Sequence, residues 1–584
     1  PTALRLGGRL DVPALPASRD ALARRHESLR TRFPVVEGEP VQRIDPPARV
    51  PLPLADLRAL PEAEREAEAR RLAAAESVRP FDLARGPLMR AALLRLGDED
   101  HAALFTLHHA VSDAWSMEVL VREVSVFYAA ITRGEEPRLA PLPIQYADYA
   151  VWQREWLRGE ELEAQLGWWR GQLAGAPPVL ELPADHPRRP TESAPAANRE
   201  IALAPEVVRG VHELARREGA TPFMALLAGW QLLLARWSGQ DDVSVGTPVA
   251  GRNRTELEGL IGFFLNTLVL RTDFSGDPGF RALLGRVRET TLGAFAHQDL
   301  PFERLVEELQ PERSLTHTPF FQVMFTLENV ERQPALDLGG LHMEPLPTGE
   351  GVSQFDLNFS LFEGADRIGG ALRYRTDLFE AATADRMLRH FARLLEGAVR
   401  DPERPVAEVP LLDAGERTQV LAEWNDTARP YPRASLHELV ERQVERTPDA
   451  VALSFEGAAL TYRELDDRAN RHANPLRARG VGREPRVGVC MERSPELVVA
   501  LLAVLKAGGA YVPLDPGHPA ERLAYTVADA APAVVLAQEH LRDRVADVAA
   551  PTVLVGSDAG EADALSHSRT FALPHSLAYV IYTS

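Results

Sequence analysis

Apolar positions change spacing repeatedly along this chain, alternating in some stretches and recurring every three or four residues in others. That pattern predicts a mixed α/β protein. Leu88 to Leu96 alternates as a strand, Gly97-Asp98-Glu99-Asp100 reads as a turn, and His101 to Leu107 as the returning strand. From about Trp115 to Thr132 the spacing is helical, with Met117, Leu120, Val121 and Val124 on one face. A Pro-rich passage from Pro178 to Pro195 reads as a connector between two lobes. Thr221-Pro222, an N-cap followed by proline at the first helical position, opens a strongly apolar helix, and Val243 to Val245 reads as a short strand.

The pattern shifts again near Asp401-Pro402-Glu403-Arg404-Pro405. Beyond it, Ser435-Leu436-His437-Glu438 is a capping box that opens a helix stopping before Pro448. A helical run from Tyr462 to Arg479 contains Pro475, which predicts a kink. Val487 to Cys490 reads as a buried strand, Ser494-Pro495 starts a helix that ends at Gly508-Gly509, and Ala510 to Leu514 is the next strand. That is a βαβ unit, the mark of a parallel sheet. Tyr579 to Ser584 has the pattern of a strand. The expected divisions are a first lobe over 1–175, a second over 176–400, a linker over 401–435 and a separate α/β portion over 436–584.

Composition narrows the class. A chain of 584 residues is too long for one hydrophobic core. Hydrophobic residues at 45% and charged residues at 26% are ordinary for globular protein. No apolar run approaches the length of a membrane span, and no secretory signal opens the sequence, so neither a membrane partner nor export is expected. The net charge of −19 argues against a nucleic-acid partner. Cys490 is the only cysteine, which excludes an internal disulfide and a Cys-based zinc site and fits a cytoplasmic location. Lys506 is the only lysine. There is no initiating Met, so the chain is expected to be part of something longer.

The sharpest chemical feature is His108-His109-Ala110-Val111-Ser112-Asp113, set between a strand and a helix, a junction that can present side chains into a cleft. Histidine is the natural general base near neutral pH. An Asp four residues later can anchor the loop through a buried ion pair or cap the helix. A structural His pair with a capping Asp accounts for the same residues. No third His lies nearby, so no metal site is expected.

The segment resembles the HHxxxDG signature of condensation domains of non-ribosomal peptide synthetases, a family built from two chloramphenicol-acetyltransferase-like lobes. Four further stretches resemble family motifs in the family's order: Arg25-His26-Glu27-Ser28-Leu29-Arg30-Thr31-Arg32-Phe33, Tyr146 to Trp152, Ile261 to Leu268, and His297 to Glu303. The family's first motif, SxxQxRLW, is missing, so the chain is expected to begin inside the domain. Leu460 to Leu465, Leu505 to Asp515 and Leu577 to Ser584 resemble successive motifs of amino-acid adenylation domains.

The resemblance implies a V-shaped pair of lobes followed by a partial adenylation subdomain. It implies amide formation between a carrier-bound donor thioester and the α-amine of a carrier-bound acceptor, with Ser112 to Met117 similar to the subgroup that joins an L-configured donor to an L-amino acid. His109 is the implied catalytic residue, as base, amine anchor or stabiliser of the tetrahedral intermediate. His108 and Asp113 are implied to be structural, and one of Arg25 and Arg30, with Arg30 favoured, to be the buried partner of Asp113. Trp115, Ser116, Asn266 and Thr267 are candidates for the substrate tunnel. Ala114 replaces the motif's glycine, and its methyl is expected to narrow the acceptor side unless the backbone there is ordinary.

The implied partners are upstream and downstream peptidyl carrier proteins. No cofactor is expected on the condensation domain itself: substrates arrive on carrier 4′-phosphopantetheine, and ATP and Mg serve only a complete adenylation domain. The adenylation portion is expected to be inactive. Acyl transfer to a hydroxyl, or a silent platform that binds carrier proteins, are the competing readings.

Overall fold

The computed structural model describes residues 2–49, 51–189, 194–309, 317–329, 340–346, 351–364, 366–556 and 575–583. The chain divides into two units, Pro1–Asn425 and Asp426–Ser584.

In the first unit, alternation at Met89–Arg95 and near-complete burial of Asp100–Leu107 place the hairpin inside a sheet. Its register runs from Met89 opposite Leu107 to Arg95 opposite His101. The five-stranded sheet has the order His342–Pro345, Thr2–Gly7, Asp100–Leu107, Met89–Arg95, Leu54–Asp56. The helix Ala114–Arg133 covers this sheet beside Ala14–Arg25, burying Val119, Leu120, Val121, Val124, Phe127 and Tyr128 against Leu15, Leu22 and Phe105. Its ends are those the sequence marks. The Asp113 side chain accepts from Ser116 N–H at the start, and Gly134 takes a left-handed φ of 69° at the end.

The second sheet has seven strands in the order Asn266–Asp273, Asp242–Val249, Val323–Asn329, Leu357–Glu363, Ile368–Arg375, Ala194–Ala202, Val352–Ser353. Thr221 caps the helix Pro222–Ser238 by accepting from Met224 N–H, and every residue from Met224 to Ala235 is buried. The strand expected over Val243 to Val245 extends through Asp242–Val249, past Gly246 and Pro248. Proline fits there because only one bridge, Gly246 to Met324, ties that side of the strand to its neighbour.

Three segments cross the expected lobe boundaries. Leu166, Trp169 and Leu173 of the helix Gly159–Leu173 belong to the second core, not the first. His342–Pro345 returns to pair with Thr2–Gly7 of the first sheet. Residues 401–411, expected as linker, are partly core: Val406 and Val409 are buried with the second lobe, and Arg236 donates to both their carbonyls. The expected connector is also pinned where it is described, with Leu180 N–H donating to Gln322 Oε1. Residues 190–193 lie outside the described residues.

In the second unit, four parallel strands run in the order Ala510–Pro513, Arg486–Cys490, Val534–Gln538, Thr552–Val555. Ser435 and Glu438 form the expected capping box of Leu436–Arg446. The helix Tyr462–Ala478 continues through Pro475, held by buried Ala473 and Leu476 on either side of it. Cys490 is fully buried, and burial pushes its thiol up to about 11, which makes it unreactive. The expected final strand is a single bridge, Tyr579 to Tyr511; Ser584 lies outside the described residues. Among the described residues no helix is long and apolar enough to cross a membrane.

Candidate active site at the lobe junction

The strand Asp100–Leu107 ends with His108, whose N–H donates to Leu88 O at 2.9 Å, and the chain then tightens into one turn over His109–Val111. His108 is consumed by this turn. Its Nδ1 accepts from Ala110 N–H at 3.1 Å, and Phe81 packs edge-on against its ring. Burial, and secondarily the neighbouring His109, holds His108 below the ordinary histidine range, so it favours the neutral, acceptor form.

His109 is set differently. Its Nδ1 lies 2.8 Å from Ser112 O. A carbonyl can only accept, so Nδ1 carries a proton, and in the neutral ring the lone pair lies on Nε2. Nε2 has no hydrogen-bond partner among the described residues, and the side chain is exposed. The same loop that displays the imidazole therefore also selects the tautomer a general base needs.

Asp113 turns inward. It is buried at 5% exposure and accepts hydrogen bonds from four groups. Arg252 binds it through both terminal nitrogens, Nη1 to Oδ2 at 2.9 Å and Nη2 to Oδ1 at 3.1 Å. Ser116 N–H and Oγ–H donate to Oδ1 at 2.8 and 2.7 Å, and Phe264 N–H to Oδ2 at 2.9 Å. Burial alone raises its pKa, but the hydrogen bonds and charge of Arg252, helped by Phe264 and Ser116, outweigh it and hold the carboxyl below its ordinary range.

The expected partner, Arg30, is elsewhere. It donates to Asp45 O at 2.7 Å and to Glu27 Oε1 at 3.2 Å, fixing its own loop. Arg25 binds Glu123 together with His26, so it is not the partner either. The motif Asp is reached from the second lobe because the connection between Asp242–Val249 and Asn266–Asp273 crosses to the first. Ile261 enters the first core, and Leu257, Leu260 and Phe264 pack on Tyr146 and Tyr149. Gly251 at φ 63° turns the chain so that Arg252 points inward, where its side chain has no exposure and lies over the Phe264 ring.

Ser116 is fully buried and welds the lobes. Its Oγ lies 2.8 Å from Gly262 O, accepts from Gly262 N–H at 3.0 Å and also meets Arg252 Nη2 at 2.8 Å. Gly262 has to be glycine, because a Cβ would sit 2.2 Å from the Tyr146 ring. Trp115 Nε1 donates to Glu258 O at 2.9 Å, a second tie to the same crossing segment. Asn266 is saturated by the loop it holds: Nδ2 donates to Gln298 O and Leu300 O, and Oδ1 accepts from Phe302 N–H and Thr267 N–H. These contacts tie Ser116, Trp115 Nε1 and Asn266 to the protein's own backbone. Thr267 is a half-buried strand residue opposite Pro248.

Ala114 is the first residue of the helix, exposed, and absent from the left-handed residues. The freedom of glycine is not needed there. Ala114→Gly is therefore expected to leave the transfer rate and acceptor profile within about twofold and to cost at most about 1 kcal/mol of stability. Parallel rate and melting measurements check this; a gain in rate would restore a role for the methyl.

The motif His, with Nε2 open, is thus backed by an Asp–Arg pair that joins two lobes. The condensation domain family model matches residues 1–421, and the AMP-binding enzyme model matches residues 440–584. The chain belongs to the condensation-domain family, and the N-terminal part of an AMP-binding domain follows. It is 48% identical to a linear gramicidin synthase polypeptide of Brevibacillus parabrevis, over 100% of this chain and 8% of that protein. A crystal structure of a four-domain nonribosomal peptide synthetase bound to AMP and glycine superposes with a TM-score of 0.83 at 26% identity, covering 95% of this chain and 42% of that one. The X-domain from teicoplanin biosynthesis in complex with OxyB superposes with a TM-score of 0.64 at 33% identity, over 70% of this chain and 90% of that one. The chain spans only a small part of the gramicidin synthase relatives that it matches.

Proposed function

We propose that residues 1–425 join a carrier-bound donor thioester to the α-amine of a carrier-bound acceptor, forming an amide. The observation that carries this reading is the fixed tautomer of His109: Nδ1 is committed to Ser112 O and Nε2 is open. An α-amine has a pKa of about 8 and a thiol leaving group one of about 8.5, so the reaction needs alignment and charge stabilisation more than a strong base. The neutral amine attacks the thioester carbonyl, and Nε2 takes a proton from that nitrogen as the C–N bond forms. The thiolate leaves on the donor's phosphopantetheine arm, and the product stays on the acceptor carrier. The partners are an upstream donor carrier and a downstream acceptor carrier. Asp113, Arg252 and Ser116 hold the loop and take no part in proton transfer.

The test compares two acceptor carriers, one loaded with an amino acid and one with the matching hydroxy acid. The amine-loaded carrier is expected to receive the donor acyl group faster. Preference for the hydroxyl would make this an ester-forming acyltransferase.

Residues 440–584 match an AMP-binding domain, yet the lysine they hold is not free to meet phosphate. Lys506 is buried and bound to Glu441 Oε1 at 2.6 Å, Asp466 Oδ1 at 2.7 Å and Asn470 Oδ1 at 3.0 Å. This arrangement fits a structural role and does not fit ATP, and no glycine-rich phosphate loop occurs in residues 440–584. The polypeptide of residues 1–584 is expected to give no amino-acid-dependent ATP–pyrophosphate exchange. Exchange above background would show that other groups hold the nucleotide.

A further inference from the structure

Phe263 stands apart from its neighbours at the lobe junction. The backbone around it is tied down at three consecutive residues. Gly262 N–H donates to Ser116 Oγ at 3.0 Å, Tyr146 Oη–H donates to Phe263 O at 2.8 Å, and Phe264 N–H donates to Asp113 Oδ2 at 2.9 Å. Two of those three anchors, Ser116 and Asp113, belong to the segment that carries His109. Phe264 turns into the core at 5% exposure, and Gly262 has no side chain. Phe263 is the residue left to face outward, half-buried, and its ring meets the imidazole of His109 edge-on at 4.9 Å between centroids and 78° between planes. That is the geometry aromatic pairs prefer.

We propose that Phe263 is a positioning residue for the transfer reaction. Its ring holds the plane of the His109 imidazole from the side of the second lobe, while the Ser112 carbonyl holds Nδ1. The imidazole turns about its Cβ–Cγ bond, and the Nδ1 hydrogen bond limits that turn only to within a hydrogen bond's angular latitude. The Phe263 contact, its ring plane at 78° to the imidazole, narrows that latitude and aims Nε2. The proposal rests on the amide-forming reading of the site. Because Phe263 comes from the second lobe and His109 from the first, the aim of Nε2 depends on the two lobes being docked through the crossing segment.

A double-mutant cycle on the full chain tests this, with carrier-loaded donor and acceptor and the tryptophan fluorescence of each variant compared with wild type. Phe263→Ala is expected to lower kcat by about tenfold or more with KM little changed, since misplacing a reacting group costs rate and not binding. Phe263→Tyr, which keeps the ring edge, should retain the rate. In the His109→Ala background, Phe263→Ala should cause no further loss, because the two act as one unit. Should Phe263→Ala disturb the fold, Phe263→Leu, similar in size without the ring, takes its place in the cycle. An unchanged kcat in a folded Phe263→Ala protein, or a loss of the same size with and without His109, overturns the proposal while leaving the function of the site intact. A His109→Ala protein as fast as wild type would overturn the function itself, and this proposal with it.

Discussion

Arg252→Met is expected to destabilise the first unit by about 3–5 kcal/mol, because it leaves the buried Asp113 carboxylate without its cation. Arg252 has no exposed side-chain surface, and it also supplies bonds to Ser116 Oγ and Leu260 O, so no water replaces it easily. All eight tryptophans lie at or before Trp424, within the first unit, so fluorescence-detected urea unfolding of the whole chain reads that unit alone. Adding Asp113→Asn to Arg252→Met should recover part of the loss, since the amide carries no charge and its one oxygen still accepts from Ser116. Arg30→Met should cost far less, its partners being a carbonyl and a partly exposed Glu27. If Arg252→Met unfolds at the wild-type urea concentration, the pair is not what holds the lobes.

The same pair sets an acid limit. Asp113 is held below the ordinary range in the fold, so its contribution is fully present above the unfolded carboxylate pKa of about 3.9 and is lost as pH falls through the lower folded value. Without Arg252 the largest single influence, burial, is left less opposed, and the loss should begin at higher pH. An acid unfolding profile of Arg252→Met superimposable on the wild type would contradict this.

Much of the architecture is legible in local pattern. Alternation at Met89–Arg95, the helical face of Ala114–Arg133, the Thr221-Pro222 start and the Ser435/Glu438 box each describe a local preference, and each element forms where that preference lies. The errors fall where distant contacts decide. Asp242–Val249 runs past a Gly and a Pro because Asn266–Asp273 pairs with it along its whole length. Val406 and Val409 look like linker and are core. The motif histidines and Asp113 are visible as a run of six residues, but the partner of Asp113 lies 139 positions away. Arg30 is the nearer candidate among the motif residues. The signal pointing to Arg252 is weak: a buried Asp requires a cation, and Gly251-Arg252 precedes Ile261-Gly262-Phe263-Phe264 in a segment bound to cross between lobes. One arginine among many cannot be picked on that ground without the fold.

The second large effect concerns His109 itself. Its ring makes one hydrogen bond and one aromatic contact, and its side chain is exposed, so His109→Ala should leave the urea midpoint nearly unchanged. Removing a positioned general base typically lowers the rate by about 10²–10⁴. Stability and rate should therefore separate: Arg252→Met loses stability first, and His109→Ala loses rate alone. His108→Ala should resemble neither, because His108 holds the turn through Ala110 N–H.

The most direct test is single-turnover transfer between two loaded carrier proteins, comparing wild type with His109→Ala on the same donor and acceptor. The acyl group should appear on the acceptor carrier through an amide bond, and a His109→Ala protein with wild-type tryptophan fluorescence should form that product about 10²–10⁴ times more slowly. Equal rates for the two proteins, or no amide from the wild type, would contradict the assignment of this site.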